Sequence, residues 1–387
     1  MSGALLTSDG AAALAAAAAE PDPTALAAAT RLRRDFDPDL AAAALAQIAL
    51  RRQARAKFGD RAEQLFLTRD GLEQATRPDV AAWRARRLVE AGAKGVVDFG
   101  CGIGTDALAC ADAGLSVVAV EADPATAAFA QANLGQAGRV IVGDAVDLAD
   151  ELLRPDWAAI CDPARRDARG RTWRVEQLTP PWEFVLRLLD GGRPACAKLA
   201  PGLARELIPD EVAATWVSHR GELVETSLWR TGRPASRRAV LLPAGIEIAA
   251  DDASTPEPGV GLGTGGYLYE PDPAVIRAPA VKRLAGLLGA ARVAPGIAYL
   301  WTAHPVATPL ATAFEIQEVL NFDEPTLRAW VRERKVGTLE IKKRGIDVDP
   351  AVLRRRLRPK GTNAATLVLT PTQAGAKALV VQRTKLE

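Results

Sequence analysis

The stretch Val96-Val97-Asp98-Phe99-Gly100-Cys101-Gly102-Ile103-Gly104 decides the fold. A short apolar run ends in an acid and breaks into three glycines at alternate positions. The residues that follow, Asp106–Ala113, have helical composition. A strand-to-helix turn of this kind needs glycine where the backbone takes unusual φ/ψ and where a ligand approaches without a Cβ in the way. The spacing is G-x-G-x-G, not the G-x-G-x-x-G that seats a pyrophosphate at a helix N-terminus. Asp98 adds negative charge, which opposes a phosphate and suits a ligand bearing an ammonium and a sulfonium.

Working outward, short apolar runs recur at Ser116–Val120, Val140–Val142, Ala158–Cys161, Ala195–Leu199 and Ala239–Leu242. Helical compositions lie between most of them, as at Pro124–Asn133. Apolar strands alternating with helices predict an α/β fold with a mostly parallel sheet covered on both faces. Three more acids stand at predicted strand ends. Glu121 closes the second strand, where a carboxylate can accept both hydroxyls of a ribose. Gly143-Asp144-Ala145 follows the third, near the place of an adenine amino group. Asp162-Pro163-Ala164-Arg165 follows the fourth, facing the cleft. Ligands of open α/β sheets bind beyond the carboxyl ends of the strands, and all four features lie there. Any one of them alone could be an ordinary loop carboxylate or turn glycine.

Together, Asp98-Phe-Gly-Cys-Gly-Ile-Gly, Glu121, Asp144 and Asp162-Pro resemble the ordered motifs of class I S-adenosylmethionine-dependent methyltransferases. The chain from about residue 45 further resembles bacterial methyltransferases with a C-terminal THUMP-like domain. That second likeness rests on Gly71-Leu-Glu-Gln-Ala-Thr-Arg-Pro78, Tyr269-Glu-Pro-Asp-Pro-Ala274, Leu339-Glu-Ile-Lys-Lys-Arg-Gly345 and Arg354–Gly361. It implies a Rossmann-like, seven-stranded core binding S-adenosylmethionine through Asp98, Gly100, Gly102, Gly104, Glu121, Asp144 and Ala145. Asp162 and the Pro163 carbonyl would position the acceptor atom. Amino-group methyltransferases often carry Asp/Asn-Pro-Pro and an aromatic residue here. Ala164 and Arg165 replace the second proline and the aromatic, closer to the Asp-Pro-Pro-Arg of several RNA base methyltransferases. Arg165 and Arg166 would then pair with phosphate or stack on a base.

Residues 1–90 read as an N-terminal helical segment, with helices at Asp39–Ala56 and Pro78–Ala91. The class I domain is expected over 91–250, a Pro/Gly-rich linker over Asp251–Gly266, and the THUMP-like α/β domain over 265–387. The net charge is +2, yet Arg328–Lys360 holds twelve Lys/Arg against four Asp/Glu, a local +8 that leaves −6 elsewhere. Such a cluster, with Lys342, Lys343 and Arg344 at its centre, suits a phosphate backbone. It suits a solvated domain face equally well. RNA, as tRNA or rRNA, is the partner that the THUMP resemblance implies.

Four single cysteines and two histidines offer no set of soft ligands for zinc, so no metal is expected. Cys161 and Cys196 lie in apolar runs and read as buried packing residues rather than nucleophiles for pyrimidine C5 chemistry. The alanine run Ala11–Ala19 lacks a basic flank and falls short of a membrane span. A soluble cytoplasmic protein is expected. The alternatives are a small-molecule or protein methyltransferase, a non-catalytic RNA-binding protein keeping a vestigial cofactor pocket, and a nicotinamide-dependent oxidoreductase. The glycine spacing disfavours the last.

Overall fold

The computed structural model describes residues 2–165, 175–263 and 265–386. It divides into two compact units, Met1–Ala214 with Glu225–Ala235, and Thr215–Val224 with Ser236–Glu387.

The first unit opens with helices α1 (Ser8–Ala18), α2 (Leu26–Leu32) and α3 (Pro38–Phe58). The alanine run forms α1, whose buried Gly10, Ala13, Leu14 and Ala17 follow helical spacing. Its small side chains let Leu32, Leu45 and Ile48 close on it in one apolar cluster that also takes in Phe129. Helices α4 (Arg69–Gln74) and α5 (Pro78–Glu90) complete the segment. The α/β core follows: β1 (Gly95–Phe99), α6 (Thr105–Asp112), β2 (Ser116–Glu121), α7 (Pro124–Leu134), β3 (Gly138–Val142), α8 (Ala145–Leu152) and β4 (Trp157–Cys161). Two-residue strands β5 (Ala164–Arg165) and β6 (Leu178–Thr179) pair antiparallel. Helix α9 (Trp182–Asp190) and β7 (Ala195–Leu199) come next; of the following two strands, β8 (Ala213–His219) belongs mostly to the second unit and β9 (Glu222–Arg230) mostly to the first.

Strands β9-β7-β4-β1-β2-β3 stand side by side in that order. β1, β2, β3, β4 and β7 run parallel, and β9 returns antiparallel against β7. The chain builds outward from β1 through β2 to β3, then crosses back to place β4 on the other side of β1. That reversal opens a crevice at the carboxyl end of β1, where the glycine turn lies. β1 is buried along its whole length, as a central strand covered on both faces must be. No described helix is long and apolar enough to cross a membrane.

The second unit contains the hairpin β10 (Arg237–Leu242) and β11 (Ile246–Ala249). Beyond it lie β12 (Tyr267–Pro271), α10 (Pro273–Arg277), α11 (Val281–Leu288), β13 (Ala291–Arg292), β14 (Leu300–Thr302), β15 (Ala311–Asn321), α12 (Glu324–Glu333), β16 (Val336–Lys343), α13 (Pro350–Leu357), β17 (Asn363–Thr372) and β18 (Gly375–Thr384). Seven of these strands form one sheet in the order β13-β14-β12-β15-β18-β17-β16. Only β16 and β17 pair parallel. α12 and α13 bury Leu327, Trp330, Leu353 and Leu357 against Leu339, Ile341, Leu367 and Leu369. The Pro/Gly-rich stretch is pinned at its start, because the Asp251 carboxylate accepts the backbone N–H groups of Lys282 and Arg283 at 2.9 and 2.8 Å. It thereby caps α11, whose own N-cap residue Ala280 has no side-chain acceptor.

Candidate cofactor and acceptor site

The glycine turn takes the conformation its spacing demands. Gly100, Gly102 and Gly104 have φ of 79°, 56° and 83°, a region L side chains rarely adopt. Among the described residues a Cβ on Gly102 would meet nothing within 4 Å, so open space lies beside Gly102. The Gly100 and Cys101 N–H groups both bond to the Val120 carbonyl, at 2.9 and 3.0 Å, tying the turn to β2. Ile103 is held from the helical segment: Asn133 donates to the carbonyls of Ile103 and Phe66, both at 2.9 Å. Gly71 sits so close that a Cβ there would lie 2.5 Å from the Ile103 side chain. The Gly71–Pro78 motif is therefore packed onto the turn.

The acids named from the sequence meet different fates. Glu121 receives the Gly102 N–H at 2.9 Å on one oxygen and the Asp123 N–H at 3.0 Å on the other. Each oxygen keeps a second lone pair, so the carboxylate is aimed and still able to accept two hydroxyls. Asp144 is exposed and caps α8, accepting the Val146 N–H at 2.7 Å, with Ala145 buried behind it. Asp98 is 1% exposed, and among the described residues its Oδ2 has no hydrogen-bond partner. Burial, then the nearby Asp106 and Asp162 carboxylates, pushes its pKa up to about 8.

Asp162 is distinguished by what it does not do. The chain has six Asp-Pro dipeptides. In four of them, at Asp37, Asp123, Asp272 and Asp349, proline opens a helix and the aspartate caps it by accepting backbone N–H groups. Asp22 accepts the Thr24 N–H in a turn. Asp162 opens no helix, and its carboxylate forms an ion pair with the ammonium of Lys198, at the end of β7. Asp162 is 35% exposed at its side chain and Lys198 14%, so the pair sits at the edge of the interior. Its neighbour Pro163 is buried. Arg165 lies in β5, its side chain outside the described residues, as is Arg166 altogether.

Lys198 belongs to a buried network that the sequence reading missed. Lys198 donates to the Thr76 hydroxyl at 3.0 Å, and Thr76 donates to Asp106 at 2.5 Å. Asp106 also pairs with Arg84, which is fully buried and donates to Glu225 at 2.6 Å. Ser227 donates to the same Glu225 oxygen at 2.6 Å. Burial opposes the Lys198 charge, but the carboxylates of Asp162, Asp106 and Glu225 outweigh it and raise its pKa. Its traces in the sequence were Asp162 and Thr76, the latter inside the Gly71–Pro78 motif. The other members, Arg84, Asp106, Lys198, Glu225 and Ser227, are scattered over four elements, α5, α6, β7 and β9, and carry no spacing.

The four cysteines are free and buried. Burial pushes the Cys161 thiol well above its ordinary value and that of Cys196 to about 12. Neither is a ready nucleophile, since the thiolate is the reactive form. Among the described residues no group of three or more His, Cys, Asp or Glu is arranged to hold a metal ion.

In the second unit the basic triplet is split by the alternation of a strand. Lys342 is turned inward, pairing with Glu270 at 2.8 Å and lying over the Phe314 ring at 5.5 Å. Lys343 is exposed, and Arg344 lies over the Tyr299 ring at 5.2 Å. The Glu270–Lys342 pair joins two of the motifs quoted above, so these family marks are structural. Tyr269 exchanges hydrogen bonds with the Val306 backbone, and Asp272 caps α10 while accepting the Ser218 hydroxyl at 2.8 Å. The exposed cations lie further on: Arg354, Arg355 and Arg356 on α13, then Arg358 and Lys360. Arg356 stands 3.7 Å from Glu324.

A family model described as THUMP domain-like matches residues 311–383, and one described as a domain of unknown function matches residues 3–54. A crystal structure from Porphyromonas gingivalis W83, described as a candidate methyltransferase, superposes with a TM-score of 0.73 at 22% identity, covering 91% of this chain and 92% of that one. At that identity the likeness shows the shared fold. An uncharacterized S-adenosylmethionine-dependent methyltransferase of Mycobacterium tuberculosis, present in strains CDC 1551 and H37Rv, is 34% identical over 340 residues, covering 84% of this chain and 92% of the relative. With the glycine turn, the aimed Glu121 and the relationship along most of its length, this chain belongs to the family of S-adenosylmethionine-dependent methyltransferases.

Proposed function

We propose that the enzyme methylates an RNA base, with the cofactor held at the carboxyl end of β1 and β2 and the acceptor atom positioned at Asp162. The donor set fits the cofactor. Open space beside Gly102 leaves room for the methionine moiety, the aimed Glu121 carboxylate can take the ribose diol, and Asp98 offers a carboxyl oxygen without a partner among the described residues. Gly100, Gly104, Asp144 and Ala145 frame the adenosine in this reading. When bound, S-adenosylmethionine supplies a methyl group already activated by its sulfonium. The protein's part is then to orient the acceptor and exclude water. The Asp162 carboxylate would accept a hydrogen bond from the nucleophile, helped by the Pro163 carbonyl, while Lys198 and Thr76 hold Asp162 in place.

The RNA assignment is carried by one observation: five exposed cations (Lys343, Arg354, Arg355, Arg358 and Lys360) stand in the segment that matches the THUMP-like model. Exposed cations not committed to internal ion pairs are the groups able to neutralise phosphate. Lys342 and Arg344, engaged with Glu270 and the two rings, contribute less directly. Arg165 and Arg166 would contact the RNA beside the acceptor. We assign residues 1–90 as a helical segment supporting the turn, 91–250 as the methyltransferase domain and 265–387 as the RNA-binding domain, and place the enzyme in the cytoplasm. Comparing RNA nucleosides by mass spectrometry between a deletion strain and its parent tests this reading. One methylated nucleoside lost from tRNA or rRNA in the deletion strain supports it. Unchanged RNA nucleosides would turn the assignment to a small-molecule or protein acceptor.

A further inference from the structure

Asp98 lies in the middle of the sheet, opposite Ala119 of β2 and Ile160 of β4, with 1% of its surface exposed and, among the described residues, no partner for Oδ2. The charged groups facing it come from four directions. Asp106 on α6 and Asp162 after β4 repel a negative charge there, while Lys198 on β7 and Arg84 on α5 attract one. Both cations are already committed, Lys198 to Asp162 and Arg84 to Asp106 and Glu225. The thiols of Cys101, Cys110 and Cys161 also sense Asp98 and are themselves held neutral by burial. Three carboxylates, those of Asp106, Asp162 and Glu225, thus share two cations before Asp98 is counted. A fourth charge would be buried with neither a counter-ion nor a hydrogen bond on Oδ2, and a group so placed takes up a proton instead.

We infer that Asp98 is a neutral carboxylic acid in the free protein and that the cofactor's ammonium group expels its proton on binding. The balance is simple: the acid O–H bond breaks, the proton passes to solvent, and the carboxylate left behind pairs with the incoming ammonium. This rests on the cofactor reading and adds to it a proton-linked step at the same site. The raised pKa of about 8, caused first by burial and then by Asp106 and Asp162, agrees with the geometry. Below that value ligand binding must first ionise Asp98, so affinity rises with pH, by up to about tenfold per unit, and levels off above it.

S-adenosylhomocysteine carries the same ammonium without the sulfonium and is a suitable probe. Titration calorimetry of the whole protein at pH 7, in phosphate and in Tris, gives the protons released from the difference in heat between the buffers. Close to one proton per bound ligand is expected. The Asp98→Asn variant should bind more weakly and release almost none. Its fold is checked by the pH dependence of its melting without ligand. An acid whose pKa is higher in the folded than in the unfolded state binds more protons when folded between about pH 4 and 8. The parent's stability therefore falls through that window relative to the variant's, and the variant should melt higher at pH 8.5. Binding without proton release, or equal release from both proteins, overturns the inference. Absence of any binding by the folded parent overturns the cofactor reading itself. Should the variant not fold, the parent's proton count at pH 7 and its decline above pH 8 decide the matter.

Discussion

In the first unit Arg84 is wholly buried between Asp106 and Glu225, whereas in the second Arg354, Arg355 and Arg358 stand exposed on and just after α13. The same side chain does two different jobs. Buried in the α/β core, a guanidinium is the partner without which two acids would be stranded in low dielectric. On the surface it remains hydrated and screened by salt, and its energy is realised only against a polyanion. Charges inside the first unit set the shape and protonation of the site. Charges on the second are available to a partner.

The hardest blow to this contrast falls on its buried half. Arg84→Met should destabilise the first unit by about 3–5 kcal/mol, because Asp106 and Glu225 lose their cation together. Urea denaturation followed by tryptophan fluorescence measures it. A loss below about 1 kcal/mol would mean that the network can neutralise itself by taking up protons.

Next in size is the edge of the network. Lys198→Met should lower turnover by about a hundredfold or more, since a positioning group displaced by even an ångström is felt at the reacting centre. S-adenosylhomocysteine affinity should change only a few-fold. Asp162→Ala should behave alike, and Lys198→Arg should recover part of the rate. Tritium transfer from S-adenosylmethionine to RNA of the deletion strain gives the rate, and equal losses in affinity and turnover would place the pair in cofactor binding instead.

Glu121→Ala sharpens the picture of the aimed carboxylate. It should weaken cofactor binding by about 1–3 kcal/mol, the cost of leaving buried hydroxyls unpaired. Calorimetry that finds parental affinity in the folded variant removes Glu121 from the site.

The smallest effect per residue is expected on the exposed half. Changing Lys343, Arg354 and Arg355 to Ala should make the log–log salt dependence of RNA binding shallower by about one for each lost phosphate contact, leaving cofactor affinity alone. Lys342→Ala, which removes a cation engaged with Glu270, should alter that slope less. A triple variant with the parental slope would make the cluster a solvated face.

How much of this was legible beforehand follows from the range of the interactions. Helices at Pro38–Phe58 and Pro78–Glu90, and the strands around the glycine turn, were readable because composition and a proline in the first turn act within a few residues. So were the turn itself and the place of Glu121 at the end of β2. The α13 helix and the long strands β15 and β18 were not read, since their apolar and polar residues sort only once the sheet gives them faces. The triplet Lys342-Lys343-Arg344 shows the same limit: three adjacent cations look equivalent in a line, and strand alternation sends only Lys343 outward.

By itself the sequence determined what neighbours along the chain decide: the order of strands and helices, the left-handed glycines, and the acids at the strand ends. Tertiary structure alone decided which of six similar Asp-Pro pairs would be released from capping and joined to Lys198, and which acid would be left without a counter-charge. The physical reason is desolvation. A local motif acts through the backbone of its own segment, whereas the protonation and pairing of Asp98, Asp162 and Lys198 depend on excluding water by packing elements as far apart in sequence as Thr76 and Glu225.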